Sequence, residues 1–291
     1  MNKLAIFGSV ISEEYYSIAQ EIIEKLQSSG FEIEIFEDFE KHLKENKVRL
    51  PAILSYNEEN FKSADIVLCL GGDGTFLKCT HTFYKYNIPI LGINLGKLGF
   101  LAEILPQQIQ YFIENIRNKK YTILHRTLLD FTTVKSKDQI SGICLNEITL
   151  QKSNNLKLIK LNITINNDSL YSFWADGVII STPTGSTAYS LSLGGPIITP
   201  DSKTLLITPI APHSLNVRPI IIPDTSVITI EASGDFTNYL ISNDFKSVLI
   251  NEPPKITIKK SKYSIQTIQF HEISFFDILR TKLQLGIDSR K

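Results

Sequence analysis

With 291 residues, 43% of them hydrophobic, the chain is long enough to bury a real core and to fold as one large domain or two of ordinary size. Thirty Lys plus Arg balance thirty Asp plus Glu, so no net field favours nucleic acid or an anionic membrane surface. Cys69, Cys79 and Cys144 are too few and too scattered for a disulfide scaffold or a zinc site, and no apolar run nears the roughly 20 residues of a membrane span.

In chain order, residues 1 to about 120 alternate β-branched runs with helical segments: "KLAIFGSV", "EEYYSIAQEIIEKLQSSG", "FEIEIFE", "ADIVLCL" and "IPILGINLG". This order predicts a parallel α/β sheet. "PQQIQYFIENIRNKK" predicts an amphipathic helix opened by Pro106, with Ile109, Phe112, Ile113 and Ile116 on one face. From about residue 123 the pattern changes to strands with period-two alternation, "DFTTVKS", "LIKLNITIN", "VITIEA" and "KITIKK", which predicts a β-sandwich or stacked sheets with one short helix near 186–193. The last stretch, "SFFDILRTKLQLG", returns to helical spacing with Phe276, Leu279 and Leu283 on one side, and is expected to pack back on the first domain. "MNKLAIFGSV" followed by "SEEYYS" is too short for a secretory core, so the expected compartment is the cytoplasm with reduced thiols.

The sharpest local signal is "VLCLGGDGTFLKC", where Asp73 stands among Gly71, Gly72 and Gly74 between an apolar run and a helical segment. The carboxyl end of a strand in a parallel sheet, followed by a helix N-terminus, is where phosphates bind, and glycines let the backbone approach them. A carboxylate beside a phosphate is repelled unless it grips a metal or takes a proton from a nucleophile attacking phosphorus, so the loop suggests phosphoryl transfer. The alternative on the loop alone is a plain strand-to-helix turn with Asp73 as its cap. The stretch is neither the P-loop pattern nor the dinucleotide fingerprint. A second signal, "DGVIISTPTGSTAYSLSLGGP" over 176–196, collects hydroxyls and glycines around Tyr189, with Ser186 or Thr187 as the expected N-cap. Tyr189 reads either as an aromatic face for a ligand or as a core tyrosine with a bonded hydroxyl.

These two stretches, together with "NLGKLGFL" over 94–101 and "LNEITL" over 145–150, resemble the NAD kinase family along nearly the whole chain. The resemblance implies an N-terminal α/β domain with a parallel, Rossmann-like sheet, residues 1–122 plus the returning tail 269–291, and an all-β dinucleotide-binding domain, 123–268. It implies transfer of the γ-phosphate of ATP, or of inorganic polyphosphate, to the 2′-hydroxyl of the adenosine ribose of NAD, with a divalent metal, normally Mg²⁺, to supply the NADP pool. Asp73 would be the catalytic base. Gly72, Gly74 and Lys78 would attend the phosphates, although Lys78 also reads as a solvated helix lysine. Asn146, Glu147, Asp176, Thr187, Ala188, Tyr189, Ser190, Leu191 and Ser192 would hold the dinucleotide, with Phe100 near the nicotinamide side or in the core. The family association implies a homodimer or homotetramer, with no nucleic-acid or membrane partner.

Two departures stand out. Relatives often carry a basic residue just before Asp-Gly, where this chain has Trp174 and Ala175, and "ISNDFKS" over 241–247 replaces an Asp-Gly-Gln pattern, so Asp244 and Lys246 are left outside the expected site. His81 reads as structural or solvated, and His213 either supports the site or merely a turn. The alternatives to NAD phosphorylation are a lipid kinase sharing the glycine loop and a module that senses dinucleotide without turnover.

Overall fold

The computed structural model describes residues 3–96, 99–134, 139–153, 157–234, 238–270, 272 and 274–285. The chain divides into two compact units, Met1–His125 with Ile265–Lys291, and Arg126–Ser264.

The first unit runs β1 (Lys3–Gly8), α1 (Tyr16–Ser28), β2 (Glu32–Phe36), α2 (Glu37–Glu45), β3 (Leu54–Tyr56), β4 (Ile66–Leu70), α3 (Asp73–Phe83), β5 (Ile90–Ile93) and α4 (Ile109–Arg117). Its sheet is parallel in the order β3-β2-β1-β4-β5, as the strand and helix alternation predicts. Every residue of β4 and β5 is buried, the continuous apolar signature of strands covered on both faces. Ile109, Phe112, Ile113 and Ile116 of α4 join this core, as their spacing predicts. The segment after β5 turns back on it through a parallel bridge between Ile93 and Ile104, and the Asn94 N–H donates to the Ile104 carbonyl at 2.7 Å. Residues 99–102 are thereby held near the carboxyl end of the sheet, where α3 begins.

The second unit follows with β6 (Thr122–Val134), which starts in the first, then β7 (Ser141–Cys144), β8 (Glu147–Lys152), β9 (Ile159–Ile165), β10 (Asp168–Ala175), β11 (Gly177–Ser181), α5 (Tyr189–Ser192), β12 (Thr204–Ile210), β13 (Ile220–Pro223), β14 (Ile228–Ser233), β15 (Tyr239–Asn243), β16 (Lys246–Ile250) and β17 (Lys255–Gln269). One antiparallel sheet has the order β13-β12-β11-β8-β15-β16, and β10-β9-β14-β17 forms a second. Alternate residues of the two, such as Ile148, Leu150, Val178 and Ile180 from one and Leu161, Ile163, Ile230 and Ile256 from the other, share one core, so the sheets are stacked. The predicted short helix is a 3-10 turn, Thr184–Thr187, followed by one turn of α5.

The chain re-enters the first unit within β17 and ends there in α6 (Phe275–Leu283). Ser274 caps α6, its hydroxyl accepting from the Asp277 N–H. Here the expected face needs correction: Phe276 is 57% exposed, and the buried pair is Ile278 and Leu279. At 100° per residue, the positions sharing that inner face are 275, 278, 279, 282 and 283. Phe275 and Leu283 are half-buried and fit it, but the fifth position is a lysine, Lys282. Among the described residues, no helix is long and apolar enough to cross a membrane. Cys69, Cys79 and Cys144 are free and buried, and burial holds the Cys79 and Cys144 thiols well above their usual range.

Candidate active site

In the first unit, the glycine loop opens a cleft of about 370 Å³ lined by Gly71, Gly72, Asp73, Asn94, Gly96, Gly99 and Lys282, together with Val10 to Ser12 and Tyr15. Gly71 is the glycine of this loop with a left-handed φ, +150°. Gly72 is extended as the N-cap of α3 and Gly74 lies in the first turn, and nothing stands within 4 Å of where a Cβ would sit on either. Gly72 lines the cleft and leaves open space there, whereas Gly74 is exposed and is not among the described residues lining it.

Asp73 is the first residue of α3, and its side chain does not cap the helix. Its carboxylate instead accepts three backbone N–H groups from the segment after β5: Phe100 on Oδ2 at 2.9 Å, and Leu101 and Ala102 on Oδ1 at 3.0 and 3.2 Å. Such a clasp fixes the carboxylate orientation without consuming all of its lone pairs, since two oxygens offer about four acceptor sites. Gly99 is required by this approach, because a Cβ there would lie 2.0 Å from Asp73 Oδ1. Lys282 Nζ stands 3.6 Å from Asp73 Oδ2 and 4.5 Å from the centre of the half-buried Phe100 ring. Lys78 is exposed on α3 and is not among the residues lining the cleft.

In the second unit, Asn146 and Glu147 stand where β8 begins, and Asp244 holds them. The Asp244 carboxylate accepts the N–H groups of Leu145, Asn146 and Glu147 at 2.8, 2.8 and 3.3 Å, with its own backbone at φ +51°. Glu147 is half-buried and its Oε2 is sealed from solvent with no hydrogen-bond partner among the described residues. Burial first, then the negative charge of Asp244, pushes the Glu147 carboxyl up from 4.5 to about 8. The 3-10 turn at 184–187 packs directly on this pair, for a Cβ on Gly185 would meet the Asn146 carbonyl oxygen at 2.1 Å.

Neither expected N-cap caps the short helix. Ser186 Oγ donates to the Pro183 carbonyl and accepts the Ile198 N–H, and Thr187 Oγ1 donates to the Thr184 carbonyl, so both hydroxyls brace the turn from within. Ser190 is buried with its hydroxyl on Thr208 at 2.7 Å. Thr187, Ala188 and Leu191 are half-buried, Ser192 is exposed, and Tyr189 is 41% exposed, which rules out a core role for that ring. Asp176 pairs with Lys152 Nζ at 2.6 Å, so a cation reaches it from β8 although Trp174 and Ala175 replace the expected basic residue. Trp174 is 46% exposed, and its carbonyl accepts the backbone N–H of His213.

The family model described as the ATP-NAD kinase N-terminal domain matches residues 4–121, and the ATP-NAD kinase C-terminal domain matches 145–270. The chain belongs to the NAD kinase family. It is 43% identical over 289 residues to the NAD kinase of Bacteroides fragilis strain ATCC 25285 and 40% identical over 292 residues to that of Flavobacterium psychrophilum, covering 99% of each chain in both pairs. Among solved structures it is similar to a yeast NADH kinase complexed with NADH, with a TM-score of 0.89 and 26% identity over 99% of this chain and 89% of that one. An NAD kinase from Archaeoglobus fulgidus in complex with ATP shares the fold, with a TM-score of 0.72 and 22% identity over 97% of this chain and 98% of that one. These matches displace the lipid-kinase alternative. The NAD kinase motifs lie in both units, with Asp73 and Phe100 in the first and Asn146, Glu147, Asp176 and the 187–192 segment in the second. Sequence reasoning missed Lys282 and Gly99 beside Asp73, and left out Asp244, although the loose match of "NDF" to the family pattern was a usable signal.

Proposed function

We propose that this NAD kinase family member transfers the terminal phosphoryl group of ATP to the 2′-hydroxyl of the adenosine ribose of NAD, making NADP and ADP. The observation that carries the reading is the Asp73 carboxylate, clasped by three amides at the mouth of an open glycine-lined cleft. A ribose hydroxyl is a weak nucleophile until its proton is being removed. Asp73 accepts that proton as the 2′-oxygen bonds to the terminal phosphorus and the bond from that phosphorus to the bridging oxygen breaks, with ADP taking the electron pair. The open space at Gly72 admits the donor phosphates. Asn146, Glu147, Asp176 and the exposed Tyr189 ring hold the dinucleotide, with Thr187, Ala188, Leu191 and Ser192 shaping the same surface. Ser190, bonded to Thr208, supports them.

Among the described residues no group of three or more His, Cys, Asp or Glu could cage a metal ion. Among the described residues lining the cleft Asp73 is the single carboxylate, a donor set that fits Mg²⁺ arriving on the donor phosphates rather than in a protein cage. When bound, the metal screens the phosphate charge that the hydroxyl oxygen approaches.

Purified protein incubated with NAD, ATP and Mg²⁺, assayed for NADP by an NADP-specific dehydrogenase, is expected to form NADP. Inorganic polyphosphate is the second donor to supply and NADH the second acceptor. NAD binding without NADP from either donor would overturn the reading in favour of a sensing module.

A further inference from the structure

Lys282 occupies a position that helical periodicity assigns to the core. It shares a face of α6 with the buried Ile278 and Leu279, yet its ammonium emerges in the glycine-loop cleft, where it is the cation among the described lining residues. As a residue Lys282 is exposed, like its neighbours Phe276, Asp277, Arg280 and Thr281, but its side chain turns toward the cleft rather than away from it. The side chain retains 28% of its accessibility. Two contacts and the anchoring of its helix aim it. Ile278 and Leu279 anchor the helix, the Phe100 ring lies under Nζ at 4.5 Å, and Asp73 Oδ2 draws the charge from 3.6 Å without a hydrogen bond at that distance. An ammonium has three donors and no acceptor capacity, so it serves an anion. The cleft is lined by Gly71, Gly72, Gly96 and Gly99, and among the described lining residues the only acid is Asp73, which would repel an incoming polyphosphate on its own.

Resting on the phosphoryl-transfer reading above, we propose that Lys282 is a catalytic residue that contacts the transferring phosphoryl group of the donor. The C-terminal helix thus supplies the cation that the glycine loop lacks. Lys282 moves no proton: its ammonium faces Asp73 while the donor enters, then meets the charge on the equatorial phosphoryl oxygens as the bond to the leaving group breaks. Phe100, through its ring under Nζ, is a positioning residue for this cation.

The test is steady-state NADP formation by wild type, Lys282→Met and Lys282→Arg, together with calorimetric binding of ATP and of NAD to each. The expected result for Lys282→Met is a fall of about 10²-fold in kcat/KM for ATP, the usual cost of deleting one charge-stabilising donor. ATP binding should weaken, NAD binding should be unchanged, and Lys282→Arg should recover most of the loss. A lysine that served only the fold would lower both affinities together and would show a depressed unfolding temperature. If wild type makes NADP and Lys282→Met keeps its kcat/KM for ATP, or loses NAD and ATP affinity equally, the inference is overturned. If wild type makes no NADP from either donor, the phosphoryl-transfer reading falls, and this inference falls with it.

Discussion

The two units use the same device for different ends. In each, one aspartate accepts three consecutive backbone N–H groups: Asp73 those of residues 100–102, and Asp244 those of residues 145–147. What separates them is the surroundings. Asp73 faces an open cleft and a lysine ammonium, whereas Asp244 sits beside another acid, Glu147, and raises its pKa. A clasped carboxylate is therefore not by itself a base. In the proposed division of roles, the first clasp holds the carboxylate that receives the hydroxyl proton, and the second steadies the backbone of Asn146 and Glu147 for recognition.

Substitutions that strike each clasp separately should break the comparison if it is wrong. Of the two glycine substitutions, the larger effect is expected from Gly99→Ala, whose new methyl would lie 2.0 Å from Asp73 Oδ1 and force the carboxylate aside. A shift of about 1 Å in a reacting group commonly costs about 10²-fold in rate, so kcat should fall by that order while NAD affinity holds. Unchanged kcat would mean that the geometry of the clasp is irrelevant to turnover. Gly185→Ala strikes the other region, driving a methyl against the Asn146 carbonyl, a backbone atom with little room to retreat. A loss of about 1–3 kcal/mol of stability and a raised KM for NAD, with kcat for bound substrate largely kept, are expected from denaturant titration and kinetics.

A smaller effect should come from Tyr189→Ala. Removing an exposed ring costs about 0.5–1.5 kcal/mol where it stacks on a ligand, so NAD should bind several-fold more weakly and ATP as before. Equal losses for both ligands would deny Tyr189 a role on the dinucleotide. The last effect is a pH dependence. Because Glu147 titrates near 8 when folded and near 4.5 otherwise, its contribution to stability is present below pH 4.5 and is lost as pH rises toward 8. Glu147→Gln should flatten thermal stability across that window and be relatively more stable above pH 8. A variant with the wild-type pH profile would show that Glu147 is not the group responsible.

Much of this was legible in the sequence. The alternation of apolar runs with helical segments foretold the parallel sheet, because strands covered on both faces read as unbroken runs such as "IVLCL". Period-two alternation foretold the stacked sheets of the second unit. The Gly-Gly-Asp-Gly and Thr-Pro-Thr-Gly-Ser-Thr-Ala-Tyr stretches marked both candidate regions, since each is continuous in the chain. What stayed hidden depends on contacts between distant segments. Lys282 reads as an ordinary helix lysine until α6 is seen to turn its inner face toward Asp73, and the partners of Asp244 lie 97 to 99 positions before it. An i, i+3, i+7 pattern fits Phe276 on the buried face as well as it fits the observed face. Local spacing suggests Ser186 or Thr187 as a cap because it does not reveal that the carbonyls of Pro183 and Thr184 compete for their hydroxyls.

The most direct test of the division between chemistry and recognition is a paired measurement on Asp73→Asn: kcat for NADP formation, and the dissociation constant for NAD. Asparagine keeps one acceptor for the clasp but has no carboxylate to receive the hydroxyl proton. The account predicts that kcat falls by about 10²- to 10⁴-fold with NAD binding unchanged. A kcat close to wild type, or an NAD affinity that falls as steeply as kcat, would contradict it.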